Sequence, residues 1–248
     1  NYGTSVQIPY YKVISDRKDL TFSPRLFFDS NVLLQTEYRQ ANKNSDLILD
    51  FSVFVDENST KNHIFADISS KDQNKNFDFH IEKVSNDSYL KSQNISSPIV
   101  NDYSSLNSYF TYGADSDNSS LNISFEVYED LNKKKSDRYE YIFPNFNYEK
   151  YLYNDSDING DFTFNARGYQ KNYDTNSDEA VLINDIKYSS FSSINSKING
   201  MVTNYNLLLR NLNSTSENSD SLKDGEDHKI LSTIIFESKL PLKKKNTT

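Results

Sequence analysis

Residues 155–161, Asp-Ser-Asp-Ile-Asn-Gly-Asp, carry the ligand spacing of the first half of an EF-hand calcium loop. Such a loop also needs a bidentate Glu at its twelfth position and a helix on either side. The twelfth position here is Ala166 and the flanking residues alternate like strands, so the segment reads as an Asx-rich hairpin turn. The three histidines, His63, His80 and His228, lie far apart with no H-x-H or H-x₃-H spacing, which argues against zinc and against histidine-based catalysis. There is no G-x-S-x-G, no phosphate loop and no glycine-rich nucleotide fingerprint. Asp78 and Glu82 share one face of a strand pattern, but among 35 acidic residues that spacing carries little weight. The sequence predicts no catalytic residue, no metal site and no cofactor.

The elements that must position these side chains repeat with a period of two. Over residues 6–54 four segments follow one another. Leu20, Phe22, Leu26 and Phe28 share one parity, as do Val32, Leu34 and Tyr38, and then Leu47, Leu49, Phe51, Val53 and Val55. The opposite parity holds Arg25, then Gln35, Glu37 and Arg39, then Asp50. Farther on, Phe77, Phe79 and Ile81 oppose Asp78, His80 and Glu82. This alternation predicts β-strands with one apolar and one polar face, joined as antiparallel neighbours by short polar turns. Segments of about nine to eleven residues have the length a tilted strand needs to cross a bilayer. The expectation is that the apolar set faces lipid, and that Arg25, Gln35, Glu37, Arg39, Asp50, Asp78, His80 and Glu82 face a lumen.

Composition bounds this reading. Of 248 residues 35% are hydrophobic and 14% aromatic, all Tyr and Phe, and the mean hydropathy is −0.75. No run approaches the ~18 apolar residues of a membrane-spanning helix, whereas a barrel with a polar lumen gives a weak hydropathy signal per strand. Six glycines and five prolines leave the turns to Asn, Asp and Ser. A net charge of −8 argues against nucleic acid as a partner, and the lack of cysteine excludes disulfides and thiolate metal sites within the chain.

About a dozen strands are expected, continuing over residues 62–69, 77–83, 106–112, 121–129, 139–146, 161–173, 180–188, 201–213 and 229–240. Periodicity lapses over 85–102, which predicts a long connection with one helical turn near 87–91. A polar connection is expected over 213–227. If the first strand rises from the periplasm, 29–31 is a tight periplasmic turn, with 12–18 and 40–45 on the outer rim. Pro9 and Pro24 interrupt the first two strand patterns, and each removes a ladder donor, which suits an edge or a weak seam.

Several of these segments resemble the lipopolysaccharide-assembly protein family LptD (OstA). They are Ile8-Pro9-Tyr10-Tyr11, Asp19-Leu20-Thr21-Phe22-Ser23-Pro24 and Glu37-Tyr38-Arg39, in the family's order and spacing. Val84 to Leu90, Arg138 to Pro144 and residues 168–175 follow looser family patterns. The sequence lacks the family's periplasmic amino-terminal domain, its cysteines and its carboxy-terminal strands. The resemblance implies that 1–248 is the first half of an outer-membrane barrel of a Gram-negative bacterium. By the same resemblance the barrel delivers lipopolysaccharide to the outer leaflet, is occupied by an LptE-like lipoprotein and is reached through an LptA-like periplasmic bridge. It also places Pro9 and Pro24 at a lateral gate between polar lumen and membrane lipid. The alternatives are a soluble or surface β-sandwich that binds glycans on tyrosine platforms, and, third, a calcium-dependent hydrolase on a β scaffold.

Overall fold

The computed structural model describes residues 4–28, 30–133, 138–155, 159–173, 177–194 and 200–240. It is all-β. The chain opens with β1 (Ser5–Gln7), β2 (Tyr10–Ser15), β3 (Lys18–Phe27), β4 (Val32–Ala41), β5 (Ser45–Val55), β6 (Thr60–Lys71) and β7 (Lys75–Val84). One helical turn, α1 (Tyr89–Ser92), precedes β8 (Ser105–Ser116), β9 (Ser119–Asp130), β10 (Tyr139–Asp155) and β11 (Gly160–Tyr173). The chain ends through β12 (Asp178–Ser190), β13 (Ser193–Ile194), β14 (Val202–Glu217) and β15 (Gly225–Lys239). Among the described residues no helix is long and apolar enough to cross a membrane.

All fifteen strands form one antiparallel sheet in which chain neighbours pair in succession. β1 and β2 both pair with β3 at one edge, and β15 pairs with β14 at the other. Among the described residues no ladder joins the two edges, so the sheet is open. Register keeps the parities aligned from strand to strand. Leu34 lies opposite Val53, Phe51 opposite Ile64, and Phe79 opposite Phe110. Phe164 lies opposite Ile186, which lies opposite Leu209. One face is therefore apolar from β3 to β15, and it is uncovered: Leu34, Phe51, Ile64, Phe77, Phe110, Leu182, Ile186 and Leu209 are all exposed. Among the described residues no second sheet packs on it, so the sandwich expectation lacks its dry inter-sheet core.

Tight turns are built from Asx and Ser side chains, as the scarcity of glycine requires. Asp56 accepts hydrogen bonds from the backbone N–H groups of Asn58 (2.9 Å) and Ser59 (2.6 Å). These bonds, that from Asn58 foremost, hold its carboxyl below the usual range. Asn86 and Asp130 accept from the N–H two residues on in the same way. The calcium-like segment joins β10 to β11, two strands rather than two helices; Ser156, Asp157 and Ile158 lie outside the described residues.

Five expectations need correction. The strand expected over 139–146 runs on to Asp155. The connection expected over 213–227 spans only 218–224, because Asn213 pairs with His228 and Ser216 with Gly225. Those polar rungs extend the β14–β15 ladder beyond its apolar stretch. The turn between β8 and β9 is likewise shortened, to Asp117 and Asn118. Edge strand one is broken at Pro9 into β1 and β2 rather than running through it. Finally, the rim that holds residues 29–31 also carries the longest connection, 85–104, while the opposite rim has the tight turns at 16–17, 42–44, 72–74 and 117–118. Short periplasmic turns are the rule in such barrels, so the lengths run opposite to the orientation expected from the first strand.

The buried core is not between layers. It forms where residues 85–104 fold onto the polar face at the long rim. Tyr89, Leu90, Ile95, Ile99 and Val100 from this strap pack on Leu33, Phe54, Phe65, Val84, Leu106 and Leu131. Burying five such side chains stabilises the docked strap by roughly 10 kcal/mol before ordering costs.

Candidate functional site

The polar face is the chemically distinctive surface, and all eight predicted polar residues lie on it. Arg25 on β3 donates to Gln7 Oε1 (2.9 Å) and, through Nη1, to the strap carbonyl of Gln93 (2.6 Å). Gln35 on β4 donates to Asp50 Oδ1 (3.1 Å) and to the Ser96 carbonyl (2.8 Å). Arg39 pairs with Asp19 (2.8 Å) and approaches Glu37 (3.4 Å). On β7, Asp78 accepts from Thr111 (3.2 Å), and His80 bridges Asp67 (2.8 Å) and Glu82 (3.0 Å) while stacking on Tyr109. Neighbouring strands thus hold their charges in cross-strand pairs, as a wetted face with both signs requires.

Beneath the strap lies a chain that the sequence reading missed. Ser52 Oγ is 2.7 Å from His63 Nδ1 and 2.6 Å from the Tyr89 hydroxyl, and all three residues are fully buried. His63 Nε2 is 3.3 Å from Asp50 Oδ1, though off the line of a hydrogen bond. The order Asp, His, Ser matches a hydrolase triad, but Ser52 is engaged by Tyr89 and sealed from solvent. Here the array latches the strap. Burial pushes the Tyr89 phenol up to about 12. Only the cross-strand register, Ser52 opposite His63, brings residues 11 apart together, which explains why spacing alone did not reveal it.

At the far end, Arg210 clamps Asp185 with two bonds (2.7 and 2.8 Å) and Arg167 lies 3.3 Å from the same carboxylate. These residues, with Thr163, Lys187 and Asn206, line an open cavity of about 610 Å³ on the polar face. Among the described residues no group of His, Asp and Glu is arranged to hold a metal.

Pro9 and Pro24 meet at the free edge. Gln7 lies opposite Arg25 and Tyr10 opposite Phe22, so the shared register sets Ile8 against Pro24 and Pro9 against Ser23. Ile8 N–H donates to the Pro24 carbonyl (3.2 Å); the reciprocal bond of an antiparallel pair is missing because Pro24 has no N–H. The backbone of the residue after Ile8 points the other way along the pleat. The donor missing at Pro9 is therefore one that would have faced the open edge.

No protein-family model matches the chain, and no curated protein matches it. Among solved structures, a chain titled "Bacterial polysaccharide outer membrane secretin" is similar over 96% of this chain and 79% of its own, at 8% identity and a TM-score of 0.36. That likeness is too distant to carry a function.

Proposed function

We propose that this chain forms part of the wall of a transmembrane β-barrel in the outer membrane of a Gram-negative bacterium. The observation that carries the reading is the uncovered apolar face, continuous over the antiparallel sheet and backed by a polar one. A water-soluble protein rarely exposes a contiguous apolar patch of more than a few hundred Å². A ten-residue strand such as β3 is about 34 Å long; tilted as barrel strands are, it covers the roughly 25 Å apolar band of such a wall. An open edge in lipid leaves backbone groups unpaired, so the wall closes through strands beyond these two edges.

The finer reading is lipopolysaccharide assembly of the LptD type, with an LptE-like lipoprotein in the lumen and an LptA-like bridge on the periplasmic side. Its support is the family pattern at residues 8–11, 19–24 and 37–39, together with the two prolines at one free edge. An amphiphile needs a polar path for its sugars and phosphates, lipid for its acyl chains, and a seam between them. The experiment uses cysteines introduced one at a time into the full-length protein in outer-membrane vesicles. Cysteines at Phe51 and Ile64 should react with a lipid-dissolved maleimide, and those at Glu37 and Asp78 with a water-soluble one. The reverse pattern rejects the barrel. Depletion in cells that leaves surface lipopolysaccharide unchanged rejects the finer reading alone.

A further inference from the structure

We infer that the wall has a second lateral opening, between β7 and β8, distinct from the proline edge and capped by the strap of residues 85–104. The two strands pair only from Lys75 opposite Ala114 to His80 opposite Tyr109. Yet β7 runs on to Val84, still paired with β6, and β8 already begins at Ser105, paired with β9. Beyond His80 the strands are bridged through side chains. Glu82 N–H donates to Ser108 Oγ (3.0 Å), and Asn107 N–H donates to Glu82 Oε2 (2.8 Å). Bridges of this kind hold two strands together without closing the backbone ladder.

The strap is built to move as one unit. Between its ends its backbone-to-backbone hydrogen bonds are internal, Gln93 to Tyr89 and Ile95 to Leu90 among them, and the sheet holds it there through side chains, Arg25 on the Gln93 carbonyl and Gln35 on the Ser96 carbonyl. Among the described residues its backbone bonds to the rest of the chain occur at its ends, Ser85 to Asn62 on β6 and Leu131, just past β9, to Ser104. It can therefore lift without breaking a rung of the sheet. Its seat is also imperfect. The Gln93 amide in the strap, His63 Nε2 beneath Tyr89 and Asn107 Oδ1 beside the β7–β8 gap are buried without a hydrogen-bond partner. Buried unpaired polar atoms disfavour the state that contains them, which biases a tightly packed cap toward release when another partner for those atoms arrives. Leu106 and Val84, on opposite banks of the gap, are both sealed by the strap.

The inference rests on the barrel reading only in calling the apolar side lipid. The chain has no cysteine of its own within these residues, so single thiols report cleanly. Leu106→Cys and Val84→Cys would be made in the full-length protein in lipid vesicles. Each is then combined with a loosened strap, either Tyr89→Phe with Leu90→Ala, or Arg25→Ala, which spares the core. Loosening should speed labelling of both thiols at least tenfold, by a water-soluble and by a lipid-dissolved maleimide alike. A control thiol at buried Ser216, on β14, should not change. Acceleration of all three together, or of none, overturns the inference. Acceleration by the water-soluble reagent alone shows a plug over a closed wall and overturns it too. A protein that proves water-soluble sinks the barrel reading, while the ratio between seam and control thiols still decides whether the strap lifts.

Discussion

Tyr89 ties the strap to the wall through a single hydroxyl, and its energetics are open to direct test. Tyr89→Phe keeps the ring in the core but leaves Ser52 with His63 as its one remaining side-chain partner. The expected loss is about 1–3 kcal/mol of strap stability, read as faster labelling of a thiol beneath it. Adding Ser52→Ala should cost much less than it does alone, because the two residues share one network. Alkali gives a second handle. The buried phenol ionises near 12 when docked, against about 10 when free. Below pH 10 both states are protonated and docking is constant. Between 10 and 12 only the released form loses its proton, so docking weakens by about 1.4 kcal/mol per pH unit. Thiol protection should therefore fall over that window, and Tyr89→Phe should remove this part of the pH dependence. The network was not legible from the residues alone. His63 reads as an isolated histidine until register sets it opposite Ser52.

At the scale of the strand, period-two alternation revealed most of the fold because each face meets a different medium. Parity placed Phe51 and Asp50 on opposite faces, and the structure does the same. If the apolar face meets lipid, Phe51→Arg should destabilise the full-length barrel by about 2–4 kcal/mol. Arg39→Ala on the polar face removes a half-exposed ion pair and should cost about 0–1 kcal/mol. Urea titration in lipid vesicles distinguishes the two, and equal effects would show that the faces do not meet different media. Parity failed where the rule has a local exception. Leu33, Phe54, Phe65 and Val84 carry apolar side chains on the polar parity. In the sequence they look like noise in the pattern; in the structure they are the footprint of the strap. That signal was present and was readable as a cluster of wrong-parity residues followed by a long aperiodic connection. The polar extensions of β8, β9 and β14 were not readable. Asn, Asp and Ser serve turns and wet strands equally well, and only pairing across the ladder decides between them.

At the scale of the whole sheet, the described residues leave two unpaired edges, and the prolines make those edges unequal. β15 presents an unbroken row of backbone groups over Gly225–Lys239. The opposite edge is interrupted at Ile8 and Pro9, between β1 and β2, and its inner ladder lacks the Pro24 donor. In a closed barrel the seam beside β1 and β2 would therefore lack one donor, and the ladder behind it another, in adjacent rungs. Each missing bond is worth about 0.5–1.5 kcal/mol, enough to weaken a seam that many other rungs hold. Pro24→Val should restore the bond to the Ile8 carbonyl, and Pro9→Val should offer a donor to whichever strand closes the wall. If the chain assembles lipopolysaccharide as proposed, the double variant of the full-length protein should fold at normal levels, by heat-resistant migration on a gel, yet deliver less lipopolysaccharide to the cell surface. Pro9→Val should account for more of the loss, since its donor faces the seam itself. Surface lipopolysaccharide at the wild-type level, with the variant at wild-type abundance, would reduce the prolines to features that blunt an edge. The unzipped β7–β8 pair, another place among the described residues where the backbone ladder is left open, would then be the seam to test.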